Sequence, residues 1–522
     1  MLSKNYDAGS SLSQKILAGV DTLADNVAST LGPRGRNVII QQEGKRPIIT
    51  KDGVTVAEFV DLDDPFENVG VQIIKQASRQ TNAVAGDGTT TATVLARAIL
   101  HGAQKHIVAG ASPIDVKRDI DAGVEVIVKG LRSMSRPIQS EEDIAHIATI
   151  SANNDPTIGK LVAKAVDSVG KDGSISVEEA RSLETSLDLT EGFRFDSGYT
   201  ATAFINDERR GAVVYEDPLI LVADCKIDKV EDILPVLETV AREGRPLVIV
   251  ASDIEGQAHA ALIMNMMRGT MKIAAVKAPR YGEERRNILK DLCLSVNAVC
   301  ATKSAGLKLR EVKLKHLGTC KKIEILKNGT TFVGGSGNYE AIDQQIENLK
   351  VELSQTDNLK ECERIQERIT RLASGVAVIR VGAATEIEMI EKRHRIEDAL
   401  EAVRAAQLEG VVPGGGVALI RALPVLSAIT TSGSYSTVVY EAVEAPLRQM
   451  ASNAGASPDV VLERVRKASG SVGWDFKAGA MTDLVASGII DPVRVTITAL
   501  QNAASAAGTL ITTGHAIIEE GA

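Results

Sequence analysis

NAVAGDGTTTATVLA, running from Asn82 to Ala96, joins two helical patterns through Gly86-Asp87-Gly88. Glycines permit a tight turn, and a helix restarting at Thr89 exposes unpaired backbone N–H groups that cradle phosphate. The hydroxyls of Thr89, Thr90 and Thr91 add donors. Asp87 supplies a hard oxygen ligand of the kind Mg2+ takes beside nucleotide phosphates. A threonine-capped helix start is the plainer reading, though it needs one threonine rather than three. This is not a Walker loop. Gly44-Lys45, Gly159-Lys160 and Gly170-Lys171 lack the following Ser/Thr and the earlier Gly.

Two neighbouring loops point the same way. Ile16, Val20, Leu23, Val27 and Leu31 recur at helical spacing until Gly32-Pro33 stops the helix. There Thr30-Leu31-Gly32-Pro33 runs into Arg34 and Arg36, which also reads as an ordinary C-cap with basic residues. Strand-like runs at 37–40 and 47–50 lead to Lys51-Asp52-Gly53, a turn pairing a cation with a carboxylate. Far downstream, Gly414-Gly415-Gly416 precedes a helix, where backbone can approach a ligand closely or simply flex. Asp398 lies in Glu391–Leu408, a helix rich in paired charges; composition alone makes it a solvated carboxylate.

Further out, texture changes along the chain. The first and last quarters are helical and rich in Ala and Val. Between about Gly192 and Lys277, strand-like blocks at 219–223, 247–251 and 273–276 alternate with helical ones, suggesting an α/β layer. Tyr339–Leu353 and Leu359–Ala373 read as a helical hairpin. An α/β centre inserted into a helical domain follows from this order.

The 522 residues suggest about three domains at ~150 residues each. With 59 Lys and Arg against 68 Asp and Glu, the net charge is −9, which argues against a nucleic-acid binder held by general basicity. Aromatics at 3% are too few for stacking platforms along single strands. No apolar run approaches the ~20 residues of a membrane helix, and the first residues lack a signal-peptide core, so a cytoplasmic protein with neither nucleic acid nor membrane as partner is expected. Five cysteines form no CxxC pair and no zinc-like spacing, which fits free thiols in a reducing compartment.

Taken together, TLGPRGRNVII from Thr30, TKDGVTVA from Thr50, the Asn82 stretch, IEDALEAVRAA from Ile396 and EGVVPGGGVALIRA from Glu409 resemble the group I chaperonins, the GroEL-like family. The likeness runs from Ile16 to Thr513 with motifs in the expected order. It implies an α+β multidomain subunit of a ring. A mainly helical equatorial ATP-binding domain would comprise 1–133 with 409–522. A small α/β intermediate hinge would comprise 134–190 with 377–408, and an inserted α/β apical domain 191–376.

The resemblance also implies ATP and Mg2+, with K+ as a further cation. Thr30, Leu31, Gly32, Pro33, Lys51, Asp87, Gly88, Thr89, Thr90, Thr91, Gly414, Gly415 and Asp491 match nucleotide-binding positions, and Asp475, Phe476 and Lys477 match the segment flanking the base. Asp52 and Asp87 match the carboxylates serving metal and water, Asp87 as metal ligand. Asp398 matches the hinge carboxylate swung over the nucleotide. All three are present, so a working ATPase is expected. A ring-forming polypeptide-binding or scaffold protein with a vestigial ATPase is the alternative reading.

Implied partners are unfolded or partly folded polypeptides, a lid-like co-chaperonin, and six further copies in a heptameric ring. By the resemblance, Tyr199, Phe204, Leu234, Leu237, Ile263 and Met264 would grip polypeptide. Four of nine methionines fall within 264–271, and such faces suit varied partners. Two matching positions depart: Ala203 replaces an aromatic and His259 an aliphatic residue, which lessens apolar grip. Lys105 and Arg448 match basic residues of the ring–ring interface, yet the loop 427–437 carries no charge, Ser457 stands where an acidic partner is expected, and no Gly/Met-rich tail occurs. A loosened or nucleotide-sensitive double ring is expected, with single rings as the other outcome. If the chain is virus-encoded, its place is the host cytoplasm.

Overall fold

Helix Pro65–Ala85 shows how local chemistry builds the first part of the molecule. The Asp64 side chain accepts from the N–H groups of Phe66 and Glu67, Pro65 pre-sets the first turn, and Gly86 closes the helix in a left-handed conformation at φ 71°. The computed structural model describes residues 3–42, 44, 47–169, 174–180, 182–302, 306–356, 358–373, 375–427 and 437–520. They divide into two units. The first comprises Met1–Lys164, Glu179–Thr185 and Val381–Ala522; the second comprises Ala165–Glu178 and Ser186–Arg380.

In the first unit, helices Gly9–Ala28, Pro65–Ala85, Thr89–Val108, Pro113–Met134 and Val493–Ile511 pack around one core. Leu12, Ile16, Val20, Leu23 and Val27 all sit inside it, each such side chain contributing about 1.5–3 kcal/mol on burial. The expected helix therefore ends one turn early, at Ala28, and Leu31 belongs to the loop that follows. A Cβ on Gly19 would lie 2.0 Å from the Glu67 carbonyl oxygen, so only glycine lets the first helix approach the Pro65 helix this closely. The chain ends meet in an antiparallel pair, Ser3–Ala8 against His515–Glu520.

The second unit is built on a mixed sheet. Leu219–Ile227, Leu247–Ile254 and Ile273–Lys277 run parallel, joined by helices Val230–Glu243 and Gly256–Met267. Their leading residues are buried without alternation, as parallel strands covered on both faces require. Antiparallel strands Gly318–Ile325, Thr330–Gly335 and Ser186–Phe195 extend the sheet beyond Leu219–Ile227. Tyr339–Gln355 and Leu359–Ala373 form the expected hairpin, and Leu349, Ile365, Ile369 and Leu372 reach the unit's core. Arg368 fixes it through two 2.9 Å bonds to Asp291. The architecture is thus α+β, a mainly helical unit and an α/β one, as the alternating texture implied.

Candidate functional site

The first unit holds a cavity of about 440 Å3, within the size range of small-molecule sites. Its floor is the Gly86-Asp87-Gly88 turn. Both glycines are left-handed, at φ 71° and 86°, and reverse the chain so that helix Thr89–Val108 starts facing the cavity. No side chain caps that helix start, which leaves its first N–H groups for an anion. Thr89, Thr90 and Thr91 all line the cavity, as the sequence implied.

Asp87 is held from two sides. Its Oδ1 accepts from the Gly88 N–H at 2.5 Å and its Oδ2 from the Ser151 hydroxyl at 2.9 Å. Burial pushes its carboxyl above the usual range, the two hydrogen bonds oppose this, and Asp52 adds repulsion. Lys51-Asp52-Gly53 is more than the expected turn: Asp52 caps helix Gly53–Glu58, accepting from Val54 N–H, Thr55 N–H and, at 2.6 Å, the Thr55 hydroxyl. A Cβ on Gly53 would sit 2.3 Å from Thr90 Oγ1, so the two loops touch.

Strand 490–492 brings the other end of the chain to the same place. Val412 pairs with Asp491 in an antiparallel ladder with 411–413, which aims Asp491 into the cavity. Burial and the neighbouring Asp87 push its carboxyl up to about 7, against a hydrogen bond from the Gly415 N–H. Gly414 stands behind it; a Cβ there would be 3.0 Å from Asp491 Oδ1. Gly415 lines the cavity beside Phe476, with Asp475 and Lys477 on the same rim. Arg34 donates to the Lys477 carbonyl at 3.0 Å, locking that rim to the Thr30–Pro33 loop.

Lys51 donates to the Gly32 carbonyl at 3.0 Å, and burial holds its ammonium below the usual lysine range while Glu391 opposes. Thr30, Leu31, Gly32 and Pro33 complete that wall. Opposite stands helix Glu386–Glu409, which places Asp398 on the cavity together with Glu391 and Arg395. Asp52, Asp87, Asp398 and Asp491 face one space, Asp87 and Asp491 with raised affinity for protons, and Asp87 is the hard oxygen that could hold a divalent cation such as Mg2+. Among the described residues no ready-made cluster of three or more His, Cys, Asp or Glu exists, so the protein would supply only part of the coordination sphere.

Sequence reasoning missed Ser151, His146, Asn153, Asn154 and His394, all on the cavity wall. Asn153 and Asn154 are left-handed, at φ 59° and 63°, a conformation asparagine tolerates and no motif announces. One signal was available: Glu391, His394, Arg395, Asp398 and Ala402 share one face of a helix at i, i+3, i+4, i+7 and i+11, all toward the cavity.

In the second unit the expected polypeptide-binding residues separate. Leu234 is 45% exposed and Met264 47%, whereas Phe204 at 0% and Leu237 at 6% belong to the unit's core. Leu237 lies on the same helix face as Ile233, Val236 and Val240, all buried, and Phe204 packs edge-on against His259 at 6.1 Å. Tyr199 and Ile263 are half-buried at the core's edge. His259 Nε2 is 2.9 Å from Thr200 Oγ1, so its polar ring is hydrogen-bonded within the unit. Arg448 and Lys105, expected at an interface, reach Asp459 at 2.6 Å and Glu441 at 3.7 Å of the same chain. Most of the uncharged loop, residues 428–436, lies outside the described residues.

The family described as the TCP-1/cpn60 chaperonin family matches residues 23–521. Among solved structures the chain is similar to the chaperonin gp146 from the bacteriophage EL 2 (Pseudomonas aeruginosa), crystallised in the presence of ATP-BeFx. That likeness has 22% identity and a TM-score of 0.66 and covers 99% of each chain. A second crystal form gives 21% identity and a TM-score of 0.63, again over 99% of both chains. At these identities the likeness speaks to the fold.

Proposed function

This chain belongs to the TCP-1/cpn60 chaperonin family, and from that premise we propose that it is an ATP-dependent chaperonin of the group I type. Non-native polypeptide binds the second unit, is enclosed in a ring cavity, and folds there under the drive of Mg-ATP hydrolysis in the first. One observation carries the reading. A single cavity gathers Thr30–Pro33, Lys51–Gly53, Asp87–Thr91 and Asp491 from both ends of the chain, together with Asp398.

The chemistry follows from what each group offers. N–H groups at the Thr89 helix start and the three threonine hydroxyls hold the phosphates, and Lys51 balances their charge from the rim. Asp87 would hold Mg2+, which would neutralise phosphate charge, while Asp52 beside it serves the attacking water. Asp398 accepts a hydrogen bond from a water and aligns it for in-line attack on the γ-phosphorus, with ADP leaving. Asp475, Phe476 and Lys477 flank the base, and K+ is a further cation the phosphates would accept. Three retained carboxylates favour this over a scaffold with a vestigial ATPase.

The equatorial, hinge and apical partition, a heptameric ring in a loosened double or a single form, and a co-chaperonin lid belong to the same proposal. Among the described residues no helix is long and apolar enough to cross a membrane. The similar solved chaperonin comes from a bacteriophage, which fits action in a host cytoplasm. The decisive experiment measures steady-state ATP hydrolysis beside the refolding yield of an aggregation-prone client. Hydrolysis that depends on Mg2+ and raises that yield supports the proposal; client capture without turnover would replace it with the scaffold reading.

A further inference from the structure

In the second unit, LKLREVKLKHL from Leu307 to Leu317 interleaves apolar and cationic side chains. Leu309, Val312 and Leu317 are buried in the unit's core. Two single-turn 3-10 helices, Leu309–Glu311 and Leu314–His316, span the intervals between these anchors. With the anchors turned inward, Lys308, Arg310, Lys313 and Lys315 are all exposed. His316 braces the far end: its Nδ1 accepts from the Lys313 N–H at 3.1 Å and its carbonyl from the Val299 N–H at 3.0 Å. Lys308–Lys315 thus sets four cations against one carboxylate, Glu311, in a chain whose net charge is −9.

One of the four is engaged. Arg310 donates to Asp232 Oδ1 at 2.7 Å and to Glu231 Oε2 at 3.3 Å, which fastens the ridge to the first turn of helix Val230–Glu243. Glu231 lies three residues before the exposed Leu234, a rise of about 5 Å on the same helix face, so Leu234 borders the ridge. Lys308, Lys313 and Lys315 have no acidic partner among the described residues. Leu314 and Val299 are exposed beside them, which makes the surface a mixed one of ammonium groups and aliphatic side chains.

We propose that this ridge selects acidic, leucine-bearing stretches of non-native polypeptide, an inference that rests on the second unit being the polypeptide-binding one. Carboxylates of such a stretch meet Lys308, Lys313 and Lys315, while its aliphatic side chains cover Leu314, Val299 and Leu234. Unpartnered lysines on flexible stems suit a client without fixed geometry, since a compact charge needs no particular approach angle. A nucleic acid is the poorer fit. Its phosphates leave the exposed aliphatic side chains uncovered, and no Phe, Trp or Tyr occurs between Ala298 and Gly318 to stack on a base.

The full chain is titrated, by fluorescence anisotropy, into three labelled unfolded peptides of Ser and Leu that differ only in carrying Glu, Gln or Lys. The wild type should bind the Glu peptide about tenfold tighter than the Gln peptide, the low end of what a focused charge surface supplies. That gap should close between about 20 mM and about 300 mM salt, where the screening length falls from roughly 20 Å to roughly 6 Å. A variant with Lys308→Ser, Lys313→Ser and Lys315→Ser should bind the Glu and Gln peptides equally, with melting temperature and ATP hydrolysis unchanged. Lys→Glu at the same three positions should prefer the Lys peptide. Equal wild-type affinity for the Glu and Gln peptides overturns the charge selection and leaves polypeptide binding standing. Binding of none of the three removes both. An oligothymidylate strand that binds the wild type more tightly than the Glu peptide, and loses its grip in the triple-serine variant, overturns the proposal in favour of a nucleic-acid surface.

Discussion

The Ser151 hydroxyl donates to Asp87 Oδ2 at 2.9 Å, tying the last residue of helix Glu141–Ser151 to the turn that would cradle phosphate. Helix Glu386–Glu409, which carries Asp398, packs against the same Glu141–Ser151 helix. The carboxylate proposed to hold the metal and the one proposed to align water are thus positioned through a shared neighbour. A hydrogen bond to a charged group contributes about 1.5–3 kcal/mol. Ser151→Ala should therefore raise the KM for Mg-ATP by roughly tenfold or more, read from steady-state phosphate release.

Asp398→Ala should bind ATP yet turn it over about 100-fold more slowly, the lower end of what a positioned general base contributes. Nucleotide affinity by calorimetry and phosphate release together check this. Near-normal hydrolysis would remove Asp398 from the reaction.

Asp491 gives a pH signature with a definite sign. Its folded-state pKa, about 7, is above that of an unfolded aspartate, so it favours folding at low pH and ceases to as pH rises through 7. The melting temperature of the nucleotide-free chain should fall from pH 6 to pH 8 more than that of Asp491→Asn, since the amide does not titrate. Mg-nucleotide should stabilise the wild type more at pH 8 than at pH 6, because the ionised carboxylate welcomes the cation. Parallel melting curves for the two proteins would dismiss the raised pKa.

Gly86→Ala forces a side chain into left-handed backbone and sets its Cβ 2.0 Å from the Glu401 Cβ on helix Glu386–Glu409. Strain and overpacking together should cost about 2–4 kcal/mol, seen as a lower denaturation midpoint, with weaker ATP binding alongside.

His259→Leu exchanges the 2.9 Å bond to Thr200 for apolar surface. Capture of an unfolded client should rise several-fold, while stability falls by about 1 kcal/mol as Thr200 loses its partner. Pull-down of a denatured client against the wild type decides the sign.

Glycine-rich turns were legible because their chemistry is local. Gly86-Asp87-Gly88 needs no distant residue to form a left-handed turn, and a helix must begin after it. The parallel strands were legible for the same reason, each being a short apolar block covered on both faces. Phe204 and Leu237 came into the apical set by resemblance alone, which says nothing of whether an apolar side chain faces solvent or the unit's core. In the structure Leu237 shares the buried face of its helix with Ile233, Val236 and Val240. Ser151 was invisible: a lone hydroxyl becomes a ligand-positioning group only when a residue 64 places earlier folds beside it.

The cavity draws one wall from Thr30 and another from Asp491. A ribosome making this chain therefore delivers the first half of the pocket hundreds of residues before the second. Residues 186–380 can settle into their own sheet in the interval, since their partners are already out of the exit tunnel. The nucleotide proposed for this pocket therefore finds no complete site on a nascent chain until Asp491 has joined it.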